Sequence, residues 1–279
     1  MFLIISIAMK YSVVTTFNET GYKQYGQRMV QTFLDHWPES VDLHVYTEQC
    51  AVDEFATNLF VHDLEQASPE LVAFKKQWQA VPKANGDVSG DPVRNRRKDA
   101  GKGFKWDAVR FSHKVYAVFH AAKNCNADWL IWMDADMVCH GSINIHNLNR
   151  FCPTDKDLCY LGRKKKFSEC GLYAMNLRSV ATANFLEKFQ WMYDYAELGI
   201  FTLDEWHDSF VFDAVRKNVV LNELDWSAEL IVGEGHPLIN CEWGTYLDHL
   251  KGQRKSIGHS KLKDLLVDRK EDYWANLPV

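Results

Sequence analysis

Residues 129–139, WLIWMDADMVC, contain the pattern that decides the fold. Five apolar residues run without interruption into Asp134, and Asp136 follows after one further residue. An unbroken apolar run of this length is typical of a strand that is buried on both faces at the centre of a parallel sheet. Because open α/β sheets bind ligands at the carboxyl ends of their strands, the two aspartates stand where a ligand is expected.

Upstream of this strand, the sequence predicts a β-α-β unit, a loop and a further helix. Apolar residues recur at helical spacing over residues 22–36, and Pro38 ends this pattern. The elements expected upstream are strand 11–16, helix 22–36, strands 43–46 and 59–61, helix 69–80, a basic loop at 82–103 and helix 105–123. Strands that alternate with helices in this way predict a doubly wound, mostly parallel sheet.

Downstream of the aspartates, the sequence predicts the second part of the same domain. The expected elements are strands 158–161 and 171–177 and helices 179–196 and 204–217. Three carboxylates begin the last helix, and Asp204 is expected to cap its N-terminus. Capping does not explain Asp208, which lies one turn further along, and its carboxylate is therefore a candidate for chemistry.

The composition is that of a globular protein with a substantial core. The chain has 279 residues, of which 47% are hydrophobic and 25% charged, and we expect one domain. The net charge of −5 argues against general binding of nucleic acid. Seven cysteines without a CxxC pair indicate reduced thiols and a cytoplasmic protein.

The first eight residues are apolar but too short to span a bilayer. They also lack the basic start of a signal peptide. We expect residues 1–8 to form an N-terminal extension or to lengthen the first strand, with Met9 as an alternative start. No membrane span is expected elsewhere in the chain.

The spacing of Asp134 and Asp136 favours a divalent metal ion. Two carboxylates separated by one residue can project from a turn toward one ion, and their hard oxygens suit Mg²⁺ or Mn²⁺. An ion held in this way usually completes its shell with water and substrate phosphates. The pair therefore predicts a site for a nucleoside-diphosphate donor, the alternative being two solvated aspartates that end a strand.

The segment WLIWMDADMVCHGSI resembles the DxD segment of GT-A fold glycosyltransferases, in particular the glycogenin-like (family 8-like) group of nucleotide-diphospho-sugar transferases. Other segments resemble motifs of that family in the same order over residues 11–261. They are FSHKVYAV with Lys114, FSECGLYAMNL at 167–177, LDEWHDSFVFDAV from Leu203, and SIGHSK with His259. Glu169-Cys170 and the long basic loop depart from the family pattern.

The resemblance implies a single α/β domain of the GT-A (Rossmann-like) type over residues 9–279, with a mostly parallel central sheet flanked by helices. Residues 9–136 would form the nucleotide-sugar-binding half and residues 137–279 the acceptor-binding half. The implied activity is a nucleotide-sugar-dependent glycosyl transfer (EC 2.4-type) to a hydroxyl acceptor. Mn²⁺ or Mg²⁺ would be held by Asp134, Asp136 and His259.

The resemblance also implies donor contacts, with a UDP-sugar favoured. The loop after the first strand would cradle the nucleobase and ribose, and lysines together with Asp134 would bind the diphosphate. The implied donor-binding residues are Thr15, Phe17, Asn18, Tyr22, Lys114, Asp134 and Lys261.

Asp208 is the candidate catalytic carboxylate, and Glu205 is the alternative. If the enzyme inverts the anomeric configuration of the sugar, this carboxylate would act as the general base. The acceptor is expected to be a glycan, a small molecule or modified DNA. The basic segments at 94–105 and 163–166 are either solvated loops or contacts for an anionic acceptor or the diphosphate. The cytoplasm of a bacterial or phage-infected cell is the expected location.

Three other classes remain open at this point. A haloacid-dehalogenase-like phosphatase also has a strand that runs into DxD, but there the motif normally opens the domain. A sugar nucleotidyltransferase would carry an early glycine-rich loop, which this sequence does not have. A non-catalytic sugar- or nucleotide-binding protein on a GT-A scaffold is the third alternative.

Overall fold

The computed structural model describes residues 9–164, 166–230 and 236–278. The N-terminal extension expected at residues 1–8 lies outside this range. No helix in the described ranges is long and apolar enough to cross a membrane.

The centre of the fold is a mixed sheet that, within the described residues, has seven strands in the order β3-β2-β1-β4-β7-β6-β8. Its strands are β1 (Tyr11–Asn18), β2 (Asp42–Glu48), β3 (Leu59–Asp63), β4 (Trp129–Met133), β6 (Leu158–Leu161), β7 (Glu169–Asn176) and β8 (Glu223–Asp225). The first four are mutually parallel, β7 is antiparallel to both β4 and β6, and β8 is parallel to β6. The predicted α/β fold with a mostly parallel central sheet is therefore confirmed.

A second, two-stranded sheet joins distant parts of the chain. It pairs β5 (Met137–Cys139) with β9 (Leu247–His249) in antiparallel register, so that Met137 stands opposite His249. Because β5 begins directly after Asp136, this pairing carries a late segment of the chain to the end of β4.

Helices cover both faces of the central sheet. They are α1 (Glu19–Gly21), α2 (Gln27–His36), α3 (Leu64–Ala67), α4 (Pro69–Trp78), α5 (Ala108–Asn124), α6 (Ile145–Phe151), α7 (Val180–Asp194), α8 (Asp208–Arg216), α9 (Pro237–Asn240), α10 (Arg254–Ile257) and α11 (Asp272–Ala275). A π-helical turn, Tyr22–Gly26, joins α1 to α2. The helices predicted around residues 22–36, 69–80, 105–123 and 179–196 are all present.

The side chains of β4 show why this strand lies at the centre. Trp129, Ile131 and Met133 point into the core that α2 covers, whereas Leu130 and Trp132 point into the core beneath α5 and α7. All five are buried. Burial of each large apolar side chain stabilises the fold by about 1.5–3 kcal/mol. Because the apolar side chains of β4 point to both faces of the sheet, all of them are buried only if helices cover both faces.

The helix expected at 204–217 begins instead at Asp208, and Asp204 is not its N-cap. The preceding residues are held in an extended path by two buried tryptophans. The Trp106 indole donates to the carbonyl of Asp204 at 2.9 Å, and the Trp206 indole donates to that of Leu203 at 3.0 Å. These tertiary contacts override the N-terminal helix signal in the local sequence.

Candidate functional site

Asp134 and Asp136 lie in a tight turn at the carboxyl end of β4. The Asp134 amide donates to the carbonyl of Gly171 on β7 at 2.8 Å, and the Met137 amide returns to the Asp134 carbonyl at 3.1 Å. The turn places both carboxylates on the same side, where β9 delivers His249. Strand geometry thus brings together residues that are more than a hundred positions apart.

Asp134, Asp136 and His249 form what we call the carboxylate–histidine cluster. Each offers one ligand atom, and these atoms all lie within 4.8 Å of one another. The Nε2 atom of His249 is 3.0 Å from Asp136 Oδ1 and 3.6 Å from Asp134 Oδ2. The other oxygens contact lysines, since Asp134 Oδ1 lies 3.0 Å from Lys114 Nζ and Asp136 Oδ2 lies 2.9 Å from Lys255 Nζ.

The donor atoms of this cluster fit a divalent ion. Two carboxylate oxygens and one imidazole nitrogen lie close together, a set of ligand atoms that suits a divalent cation. Burial alone would raise the pKa of Asp136, but His249 and Lys255 hold that pKa well below its ordinary value. The carboxylate is therefore ionised at neutral pH, as a metal ligand must be.

Lys114 links the cluster to α8. Its ammonium group donates to Asp134 Oδ1 at 3.0 Å, to Asp208 Oδ2 at 2.7 Å and to the carbonyl of Cys170. Burial would lower the pKa of Lys114, but Asp134 and Asp208 raise it well above its ordinary value. A permanently charged, buried ammonium thus holds two carboxylates from different elements in fixed positions.

A cleft of about 1440 Å³ opens over the cluster. It extends from Asp134 and Asp136 along the β6–β7 loop and α8. Among the described residues that line it, ten are Lys or Arg and seven are Asp or Glu, although the whole chain carries a net charge of −5. Positive charge is therefore concentrated in the cleft, which favours anionic ligands.

Asp208 and Glu205 both line the cleft, but their carboxylates have different partners. Asp208 is the first residue of α8, and its Oδ1 accepts from the Ser209 amide at 2.8 Å while Oδ2 contacts Lys114. Burial opposes ionisation of Asp208, but Lys114 and His207 hold its pKa below the ordinary value.

Glu205 is buried among cations. Its Oε1 accepts from Arg97 and from Lys105, each at 2.7 Å, and its Oε2 lies 3.1 Å from His207 Nε2. The basic loop is therefore tied down by a carboxylate about a hundred residues later in the chain, a contact that no local pattern in the sequence indicates.

His259 and Lys261 were expected at the site, but they do not join the cluster. His259 Nδ1 lies 2.9 Å from the carbonyl of Ser260, and the Lys261 amide donates to Asp264 at 2.9 Å. In the described part of the chain neither residue lines the cleft. His249 occupies the position expected for His259, because β9 pairs with β5 beside Asp136.

Among the residues expected to bind the nucleobase and ribose, Asn18 and Tyr22 hydrogen-bond within the protein, whereas the buried Thr15 hydroxyl has no hydrogen-bond partner among the described residues. Thr15 and Phe17 are buried, so their role in donor binding stays a prediction. Asn18 accepts from the Gly21 amide at 2.8 Å as the cap of α1. Tyr22 donates to Glu54 at 2.8 Å.

Tyr25, which the sequence did not single out as a site residue, contacts a lysine of the site. The ammonium of Lys255 stands over its ring, 4.3 Å from the centroid. Lys255 also contacts Asp136, so Tyr25 is one residue removed from the carboxylates. The π-helical turn that presents Tyr25 is a feature often found at functional sites.

The chain matches no protein-family model, and no curated protein matches it. Solved structures to which it is similar include the bifunctional glycosyltransferase WbbM (10% identity, TM-score 0.46, covering 81% of this chain and 40% of that one). They also include the glycosyltransferase GlyE of Streptococcus pneumoniae TIGR4 (9%, 0.43, covering 78% and 45%). A third is galactosyltransferase LgtC in complex with donor and acceptor sugar analogues (10%, 0.43, covering 78% and 73%).

The chain spans less than half the length of WbbM and GlyE. All three structures are of glycosyltransferases, the class that the sequence resemblance predicted. At these identities and TM-scores the likeness assigns no role to any residue, and the chemistry has to be argued from the cleft itself.

Proposed function

We propose that the chain is a metal-dependent glycosyltransferase of the GT-A type, which transfers a sugar from a nucleoside-diphosphate donor to a hydroxyl acceptor. The observation that carries the proposal is the carboxylate–histidine cluster at the carboxyl end of β4, on the wall of the cationic cleft. The cleft exceeds the roughly 300–1,000 Å³ of a typical small-molecule pocket, so that it has room for a donor together with an acceptor.

The charges around the cluster support a diphosphate ligand. Asp134, Asp136 and Asp208 contribute three negative charges, and Lys114 and Lys255 contribute two positive ones. A divalent ion would turn this net negative charge into a positive one next to the bound diphosphate. When bound, the ion would neutralise charge on the departing nucleoside diphosphate.

The residues of the chain have distinct roles in this proposal. Asp134, Asp136 and His249 would hold Mn²⁺ or Mg²⁺, and Lys255, which contacts Asp136, would pair with the diphosphate of the donor. Lys114 keeps Asp134 and Asp208 aligned, and Asp208 faces the transferred sugar. A UDP-sugar is the favoured donor, and a glycan, a small molecule or modified DNA is the acceptor.

A thermal-shift panel tests this function. Wild-type protein is measured with UDP, GDP and CDP, each with EDTA or with Mn²⁺. We expect one nucleoside diphosphate, UDP, to stabilise the fold only when Mn²⁺ is present. Release of UDP from UDP-sugars in the presence of hydroxyl acceptors then separates an enzyme from a protein that merely binds nucleotides. If no nucleoside diphosphate stabilises the fold with metal, the proposal is wrong.

A matched pair of histidine variants tests the ligand set. His249→Gln removes the imidazole from the cluster, whereas His259→Gln removes one that the structure places elsewhere. The metal-dependent stabilisation should disappear in His249→Gln and persist in His259→Gln. The opposite pattern would show that His259 is the ligand and that the cluster is assembled differently.

A further inference from the structure

His207 lies on the cleft wall directly before α8, and the proposed function so far gives it no role. The residue is 7% exposed, and it lines the cleft beside Asp208. A buried histidine at the edge of a substrate cleft can accept or donate a proton, provided that its tautomer and orientation are fixed.

Glu205 fixes both. Because Arg97 and Lys105 occupy its Oε1, the free Oε2 faces His207 Nε2 at 3.1 Å. A carboxylate oxygen only accepts, so Nε2 carries the proton in this hydrogen bond. The Nδ1 atom of His207 is therefore the one with the free electron pair.

That electron pair lies beside Asp208. His207 Nδ1 is 3.9 Å from Asp208 Oδ1. The two atoms do not hydrogen-bond to each other, because both are acceptors here and the distance is too long. A hydroxyl group placed between them would be within hydrogen-bonding reach of both. Asp208 in turn contacts Lys114, which contacts Asp134, so this gap is close to the proposed diphosphate site.

We propose that His207, oriented by Glu205, accepts the proton of the acceptor hydroxyl during sugar transfer. The inference rests on the proposed function. The acceptor oxygen forms a bond to the anomeric carbon, and the bond from that carbon to the diphosphate oxygen breaks. The hydroxyl proton moves to Nδ1, and the electron pair of the broken bond leaves with the nucleoside diphosphate. Glu205 is a positioning residue in this step.

The surroundings of His207 favour it over Asp208 as the proton acceptor. Burial lowers the pKa of His207 against the opposing influence of Asp208 and Glu205, so the imidazole is neutral and able to accept at pH 7. Lys105 is the facing cation from the loop before α5, and it also lowers that pKa. The oxygens of Asp208, by contrast, are already committed to Lys114 and the Ser209 amide.

Four aromatic side chains also lie around the imidazole. Ring centroids lie 5.4–6.2 Å from that of His207, and they come from the basic loop, α5, the β6–β7 loop and α8. The rings are those of Phe104, Phe111, Phe167 and Phe210. They add no titratable group and they limit the access of water, which would otherwise compete with the acceptor hydroxyl.

The test is the variant His207→Gln. The glutamine amide can keep the hydrogen bond to Glu205, so that the fold is retained, but it lacks a basic nitrogen at Nδ1. We expect kcat for sugar transfer to fall by about 10²–10⁴-fold, the range for loss of a general base. Mn²⁺-dependent UDP affinity should be unchanged. The acid limb of the pH–rate profile, which reports protonation of His207, should disappear.

Glu205→Gln provides a second measurement that does not require removal of the imidazole. It leaves His207 in place but weakens its orientation, and we expect a smaller fall in kcat with the acid limb shifted to lower pH. Both variants are compared with His259→Gln, which should behave as wild type.

Two outcomes separate the inference from the function on which it rests. If His207→Gln transfers sugar at the wild-type rate with the wild-type pH profile, the inference is overturned while the glycosyltransferase stands. If wild-type protein neither binds UDP with Mn²⁺ nor transfers sugar, the proposed function fails and this inference falls with it.

Discussion

The protein contains two groups of histidines that differ in the side chains and the cavity around them. At the candidate site, His249 and His207 each contact a carboxylate, and His207 and the carboxylate partner of His249 line the large cleft. At the β2–β3 side of the sheet, His44 contacts His62 at 3.1 Å and His120 contacts the Tyr46 hydroxyl at 2.7 Å. We call His44, His62 and His120 the edge histidines.

His44 and His62 stack on each other, and burial lowers the pKa values of all three edge histidines. Burial lowers the pKa of His44 to about 4, with His62 and His120 adding repulsion. Within the described residues, the carboxylate–histidine cluster is the group of potential ligands that converges on one point, and the edge histidines are not part of it. Histidine alone therefore does not mark a candidate site, whereas carboxylates next to a histidine and a cavity beside them do.

The largest expected effect is on stability and concerns Lys114, whose ammonium group contacts two carboxylates in the cleft. Lys114→Met leaves the partly buried Asp134 and Asp208 without their ammonium partner, which should lower the free energy of unfolding by up to about 3–5 kcal/mol. Urea denaturation measures this directly. Adding Asp208→Asn to Lys114→Met should recover part of the loss, because one of the two uncompensated charges is then removed. A Lys114→Met protein with wild-type stability would contradict the assigned ion pairs.

The next effect is on the carboxylates themselves. Asp136→Asn should reduce sugar transfer by about 100-fold or more, beyond the typical effect of altering residues behind metal ligands. His44→Phe, at the edge histidines, is the matched control and should transfer sugar at the wild-type rate. Equal losses in both variants would mean that the difference between the two histidine groups is not functional.

The edge histidines should instead affect stability as a function of pH. Their folded-state pKa values are depressed, so the unfolded chain binds more protons than the folded one below about pH 6.5. Stability is therefore complete above that value and is lost as the pH falls toward 4. Replacement of His44 by Phe should reduce this loss by about 1–3 kcal/mol in denaturant titrations at pH 7 and pH 4.5. An unchanged pH dependence would contradict the assigned protonation state of His44.

The smallest expected effect distinguishes two roles for Asn18, which either caps α1 or contacts the donor. Asn18→Ala should cost about 1 kcal/mol of unfolding free energy, because the Gly21 amide loses its acceptor at the start of α1. UDP affinity in the presence of Mn²⁺ should stay at the wild-type value. A marked fall in affinity without a change in stability would show that Asn18 contacts the donor, as the sequence resemblance implied.

The sequence predicted those parts of the fold that depend on local pattern. The bounds of strand 129–133 were predicted correctly, because its apolar run and the aspartates that follow it form a clear local sequence pattern. The helix at α5 and the strand at β6 were equally clear. In each case burial and periodicity, which are properties of neighbouring residues, determine the element.

The missing parts of the candidate site depend on contacts between distant residues. His249 lies in a three-residue strand that has no pattern of its own and is positioned by pairing with β5. The link between Glu205 and the basic loop is likewise a tertiary contact. The start of α8 was misplaced because buried Trp106 and Trp206 hold the preceding residues outside the helix. Such contacts become visible only when the chain is folded.

The central claim is that the carboxylate–histidine cluster binds a divalent ion together with a nucleoside diphosphate. Calorimetric titration of UDP into wild-type protein, with Mn²⁺ or with EDTA, tests this most directly. We predict that Mn²⁺ strengthens UDP binding in wild-type protein and that this gain is absent in Asp136→Asn and in His249→Gln. Equal UDP affinity with Mn²⁺ and with EDTA in the wild-type protein would contradict the claim.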